Sequence, residues 1–181
     1  MLPCNQKLSE LAWKPKGIIL SGGPYSVYWD DAPHVDPTVF DLNVPILGIC
    51  YGLQEIAWHF GKNVLAGEKR EYGHAFLKVE RNSGKDTHVD ALFNGLEDNM
   101  EVWMSHGDKL SNLTPSFATI ATTSNAPFVG MAHEDGPYYG IQFSGSHSYS
   151  SWDTIAQELC RGYLQGKTGL DYGQVRRSRD F

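Results

Sequence analysis

The chain has 181 residues, 41% of them hydrophobic, and sets 15 Lys+Arg against 21 Asp+Glu for a formal net charge of −6. That length supports one sizeable core, and the acidic balance, relieved only by a short RRSR run near the end, argues against a phosphate-backbone partner such as nucleic acid. Cys4, Cys50 and Cys160 have no metal-ligand spacing and leave one thiol over in any disulfide scheme, and no signal peptide or membrane-length apolar run is read, so a cytoplasmic, reducing location is expected.

In chain order, KGIILSGGP (16–24) and VPILGICYG (44–52) are β-branched apolar runs that stop at glycine turns, and both read as buried strands. The acidic, proline-containing stretch between them is expected to hold a short helix, which makes the order strand, helix, strand and predicts a parallel α/β unit. Leu53, Ile56, Ala57 and Phe60 recur at helical spacing and Gly61 follows, so a helix starts just after Cys50 and ends at that glycine. From 64 to 142 the pattern turns β-rich: AFLKVE, EVWMSH, FATIATT, FVGMAHE and YYGIQF alternate with turn signals such as RNSGKD, SNLTPS and EDGP. These strands are expected to join the first sheet in antiparallel or mixed fashion.

Cys50 falls at the seam between strand and helix, flanked by Gly48 and Gly52. A thiol on such a corner stands clear of its own backbone, and the amides of the helix N-terminus favour its thiolate. The two glycines would permit a strained turn with close packing behind it, which makes a nucleophile elbow carrying Cys in place of Ser. LSGGP offers backbone N–H groups around Gly22 and Gly23 as an oxyanion cradle. A base is then required. His34, His59, His74, His88 and His133 give no reason to converge on Cys50, and His106, beside Ser105 and Asp108, reads as substrate binding instead of base chemistry.

The motifs GIILSGGPYSVY, VPILGICYGLQEIA, KREYGHA, VWMSHGDK and YYGIQF, in that order over residues 1–143, resemble the class I glutamine amidotransferases, and REYG with WMSHGD resembles their GMP synthase branch. The resemblance implies an α/β fold with a mostly parallel or mixed sheet flanked by helices. It implies that Cys50 attacks the side-chain amide of L-glutamine, that the amides of Gly23 and Tyr51 hold the oxyanion, and that Gln54, Ser105, His106 and Asp108 surround the glutamine. In that family the ammonia passes to an ATP-pyrophosphatase (synthetase) domain that converts XMP to GMP. ATP and Mg belong to that domain, and the resemblance implies no cofactor and no metal in the present residues.

Two departures from the family pattern set further expectations. The opening MLPCNQKLSEL resembles the family's second strand, so the first strand-helix unit is expected to be missing. After GIQF the family continues His-Pro-Glu, the base and its orienting carboxylate, where this chain has Ser144, Gly145 and Ser146. His147 is the nearest alternative base. Ser144–Ser150 can be encoded as TCC GGA AGT CAC TCA TAC TCC, which read from its second base gives Pro-Glu-Val-Thr-His-Thr, the family's continuation. The same slide turns Asp153–Tyr163 into Thr-Arg-Leu-Leu-Lys-Asn-Phe-Ala-Val-Asp. Residues 144–181 are therefore expected to be an out-of-frame, weakly packed tail behind a partial amidotransferase domain at 1–143. Three outcomes follow: a chain without glutaminase activity, a glutaminase using His147, or a non-catalytic glutamine-binding protein.

Overall fold

The computed structural model describes residues 1–81 and 86–143. The side chains of residues 68–70 and 86–88 lie outside that description, as do the expected turn at 82–85 and the whole tail, with Ser144–Ser146, His147 and Cys160. Seven strands form one sheet: β1 (Ile18–Leu20), β2 (Ile46–Ile49), β3 (Val64–Val79), β4 (Asn99–Leu110), β5 (Phe117–Thr122), β6 (Gly130–His133) and β7 (Tyr138–Ile141). Their order is β1-β2-β7-β6-β5-β3-β4.

Only the β1/β2 and β2/β7 pairings are parallel, whereas β7/β6, β6/β5, β5/β3 and β3/β4 are antiparallel. The sheet is thus mixed, not mostly parallel, because the strands from 64 onward pair antiparallel with one another, most of them joined by short turns. Helices α1 (Tyr51–Gly61) and α2 (Asp86–Phe93) cover it. Neighbouring residues of one strand point to opposite faces. Ile46 packs with Leu53, Ile56 and Ala57 of α1, while Leu47 packs with Val89, Leu92 and Phe93 of α2, so the two helices lie on opposite sides. All six of those helix residues are fully buried. Burying each large apolar one contributes roughly 1.5–3 kcal/mol.

Four further expectations are corrected. β1 is an edge strand, with Ile19 57% exposed, because among the described residues it pairs only with β2. The stretch before β2 makes only a 3₁₀ segment, Pro37–Leu42, which the Asp36 carboxylate starts by accepting from the Thr38 N–H at 3.0 Å. Gly61 is the last helical residue of α1, and Lys62 instead takes the left-handed position that ends it, at φ 54. Finally, α2 interrupts a region read as β-rich, where no helix is expected; it contributes Val89, Leu92 and Phe93 to the core.

Candidate active site

β2 runs straight into the corner. The Cys50 N–H donates to the Ile141 carbonyl at 2.8 Å, extending the β2/β7 ladder by one bond. The chain then turns at Cys50 itself, φ 53 and ψ −106, and α1 starts at the next residue. Such a conformation costs a non-glycine residue about 1–3 kcal/mol and persists only where the surroundings impose it.

Those surroundings are backbone pressed against backbone. A methyl group on Gly48 would lie 2.3 Å from the Gly52 carbonyl oxygen, and one on Gly52 would lie 2.0 Å from the Leu20 carbonyl oxygen. No side chain fits at either position, so α1 sits directly on β1 and β2. The LSGGP loop closes the corner from the other side. Carbon added at Gly22 would sit 3.5 Å from Cys50 Cβ, and carbon added at Gly23 would sit 3.7 Å from the Tyr51 ring.

The sulfur reaches two polar partners. Its S–H donates to the Ser105 carbonyl at 3.7 Å, and Gln142 Nε2 donates to it at 3.6 Å. Burial pushes the Cys50 thiol up; the Tyr51 N–H and the Gln142 amide pull it down, and the Asp108 charge raises it further. The net direction is upward: the helix N-terminal amide acts toward the thiolate, and burial outweighs it. Among the described residues neither hydrogen-bond partner of the sulfur is a histidine.

The remaining candidates gather on the β3/β4 arm. His106 is buried, and its Nδ1 lies 2.8 Å from the Asp108 carbonyl oxygen. A carbonyl only accepts, so Nδ1 carries the hydrogen. Nε2 then faces Glu71 Oε2 at 3.3 Å, outside good hydrogen-bond geometry. With both ring nitrogens turned to the protein, His106 braces the arm. Asp108, also buried, accepts from the Tyr28 hydroxyl at 2.9 Å. A cavity of ≈ 540 Å³ opens here, lined by Glu71, His74, Met104, His106, Asp108 and Asn125 among others. Cys50, Ser105 and Gln54 do not line it. Gln54 is buried on the first turn of α1, its N–H donating to the Cys50 carbonyl at 3.2 Å.

The structure thus brings Cys50, Gly23, Tyr51 and Ser105 together, and sets His106 and Asp108 one step along β4. Four other histidines among the described residues have partners elsewhere. His34 pairs with the buried Glu55 at 2.9 Å, His59 stacks on Phe40, His74 faces Glu101 at 2.6 Å, and His133 Nδ1 accepts from the Gly136 N–H at 2.8 Å. Residue-by-residue reading missed Gln142, Tyr28 and Glu71. The first lies within YYGIQF and the second within PYSVY, so their motifs were visible while their partners were not.

A cysteine on a strand-to-helix corner of a mixed α/β sheet, with a glycine loop against it, is the arrangement of a nucleophile elbow. The family model for class-I glutamine amidotransferases matches residues 1–144, and the chain belongs to that family. Its relatives are GMP synthases: it is 69% identical over 177 residues to the glutamine-hydrolyzing GMP synthase of Phaeosphaeria nodorum, covering 96% of this chain and 32% of that protein. The Saccharomyces cerevisiae enzyme of the same name is 60% identical over 151 residues, covering 83% of this chain and 27% of its own length. This chain therefore spans about a third or less of these relatives. A Thermoplasma acidophilum protein described as a GMP synthase subunit, known from its crystal structure, superimposes with a TM-score of 0.63 at 30% identity, covering 83% of this chain and 75% of that one.

Proposed function

We propose that this chain is the glutamine-binding, nucleophile-bearing part of a GMP synthase glutaminase, and that as written it does not turn over glutamine. In this reading the Cys50 sulfur adds to the side-chain carbonyl of glutamine, and the amides of Gly23 and Tyr51 receive the oxyanion. Gln54, Ser105 and Asp108 hold the substrate, with His106 bracing the wall that carries Asp108. Collapse of the adduct breaks the C–N bond, and ammonia leaves with a proton that some acid must supply; water then releases glutamate from the thioester. Ser144, Gly145 and Ser146 offer no imidazole or carboxylate for that transfer.

The observation that carries the reading is the left-handed Cys50 corner wedged between Gly48, Gly52 and the LSGGP loop. The relatives' name, glutamine-hydrolyzing GMP synthase, supports glutamine as substrate, and their greater length leaves room for the synthetase domain that the resemblance implies as recipient of the ammonia. The out-of-frame reading of 144–181 is part of the proposal, and the coding nucleotide sequence checks it directly: codons incompatible with Pro-Glu-Val-Thr-His-Thr in the shifted frame would sink it.

Ammonia release from glutamine tests the activity. The native chain is expected to match its Cys50→Ala variant at background, and S144H/G145P/S146E to rise above both. Turnover by the native chain that disappears in Cys50→Ala would overturn the claim of inactivity and bring His147 forward as the base.

A further inference from the structure

Gln142 follows directly on β7, and its backbone N–H is tied to the Val129 carbonyl at 2.8 Å. The residue is 3% exposed. The amide nitrogen faces Cys50 Sγ at 3.6 Å, while Oε1, equally buried, has no hydrogen-bond partner among the described residues. A buried amide with an orphaned oxygen costs stability, and an apolar side chain of the same volume would avoid that cost. The arrangement satisfies the donor end on the sulfur and, among the described residues, leaves the acceptor end bare.

We propose that Gln142 is a catalytic residue of this site, its side-chain amide donating to the Cys50 sulfur so as to hold it as the nucleophile in the corner. The inference rests on the reading of Cys50 as nucleophile. It is distinct from the roles given to Gly23, Tyr51, Gln54, Ser105, His106 and Asp108.

The chemistry follows from which partners tolerate a negative sulfur. As a thiol, Cys50 can donate to the Ser105 carbonyl and accept from Gln142 together. Once the proton leaves, the Ser105 oxygen opposes the charge, and the donors left are the Gln142 amide and the Tyr51 N–H. The other charged and titratable groups around the corner do not help. On β4, Asp108 repels the thiolate, with the Tyr28 hydroxyl on its carboxylate. On α1, Glu55 is occupied by His34 and Val35, and the Tyr51 hydroxyl donates to Pro33. On β7, the Tyr138 hydroxyl donates to Phe40, and Tyr139 is buried in the core on the α2 side. Residues 21–24 carry no titratable side chain. Gln142 is therefore the one side-chain donor, among the described residues, that opposes burial of the thiolate.

The test is the rate of Cys50 alkylation by iodoacetamide against pH, followed by mass spectrometry of the Cys50 peptide so that the exposed Cys4 does not contribute. Gln142→Met removes the donor; Gln142→Glu keeps the shape and substitutes a carboxylate. Both profiles are expected to move to higher pH with an unchanged high-pH plateau, lowering the rate at pH 7 by about tenfold for Met, the consequence of a shift of about one pKa unit, and by more for Glu. A wild-type midpoint retained in both, whatever their melting temperatures, would overturn the proposal. In the wild-type chain, the Gln142 side-chain amide resonance should titrate with the Cys50 alkylation midpoint; a resonance that ignores it would overturn the proposal even if neither variant folds. Alkylation requires no turnover, so a failed glutaminase assay leaves this result readable.

Discussion

The Cys50 corner and the β3/β4 arm stand side by side and are held in opposite ways. At the corner, β1, β2 and α1 approach until carbonyl oxygens occupy the space of missing side chains, at Gly48 and Gly52. On the arm, Asp108 accepts from the Tyr28 hydroxyl and His106 Nδ1 donates to the Asp108 carbonyl, beside a ≈ 540 Å³ cavity that Glu71, His106 and Asp108 line, and the outer face leaves Phe76 76% exposed. Cys50 is thus placed by backbone geometry that admits no addition, and the arm is held by polar contacts that can each be deleted. A corner built this way holds Cys50 rigidly, while the residues around the arm's cavity can vary.

The largest effect should come from adding a single methyl at the corner. Gly52→Ala places carbon 2.0 Å from the Leu20 oxygen, so helix and strand must separate. A loss of about 3 kcal/mol or more is expected in urea unfolding, at the severe end for point substitutions. Gly73→Ala is the matched control on the arm. Its φ of 103 penalises an L residue, but nothing lies within 4 Å, so only backbone strain of about 1–2 kcal/mol is expected. Equal losses at the two glycines would erase the distinction between the regions.

Deleting a hydroxyl on the arm sharpens the comparison. Tyr28→Phe removes the bond to Asp108 and should cost about 1–2 kcal/mol, leaving the Cys50 alkylation profile close to wild type. A large change in Cys50 reactivity would show that wall and corner are coupled.

The smallest effect belongs to Glu80 at the far end of β3. The Thr122 hydroxyl, and after it Lys78, hold its carboxyl below the usual range. The folded pKa lies below the unfolded one, so the stabilisation is fully present above the unfolded value near 4.5 and is lost as pH falls through the folded value. Glu80→Gln should lower stability by a few tenths to about 1 kcal/mol at neutral pH and by nothing in strong acid. A difference that does not vary with pH would refute the assignment.

The corner was legible in the sequence because everything it needs is local: an apolar run, two glycines around a cysteine, then a helical repeat. The antiparallel strands from 64 onward were legible for the same reason, through alternation and turn residues. Helix α2 was not, since eight residues are too few for a period to stand out beside turn-forming neighbours, and its apolar face acquires meaning only against Leu47 and Ile141. Gln142 was unreadable as a partner of Cys50 because the two lie 92 residues apart and meet only through the parallel pairing of β2 with β7. The exposure of Ile19 likewise depends on the sheet order, which an apolar run cannot announce.

The central claim of the proposed function is that glutamine is recognised beside Cys50. A chloromethyl ketone analogue of glutamine, with labelled peptides counted by mass spectrometry, tests it most directly. The account predicts that Cys50 is alkylated ahead of the exposed Cys4 and that free glutamine protects Cys50 alone. Labelling that favours Cys4, or that glutamine does not slow at Cys50, would contradict it.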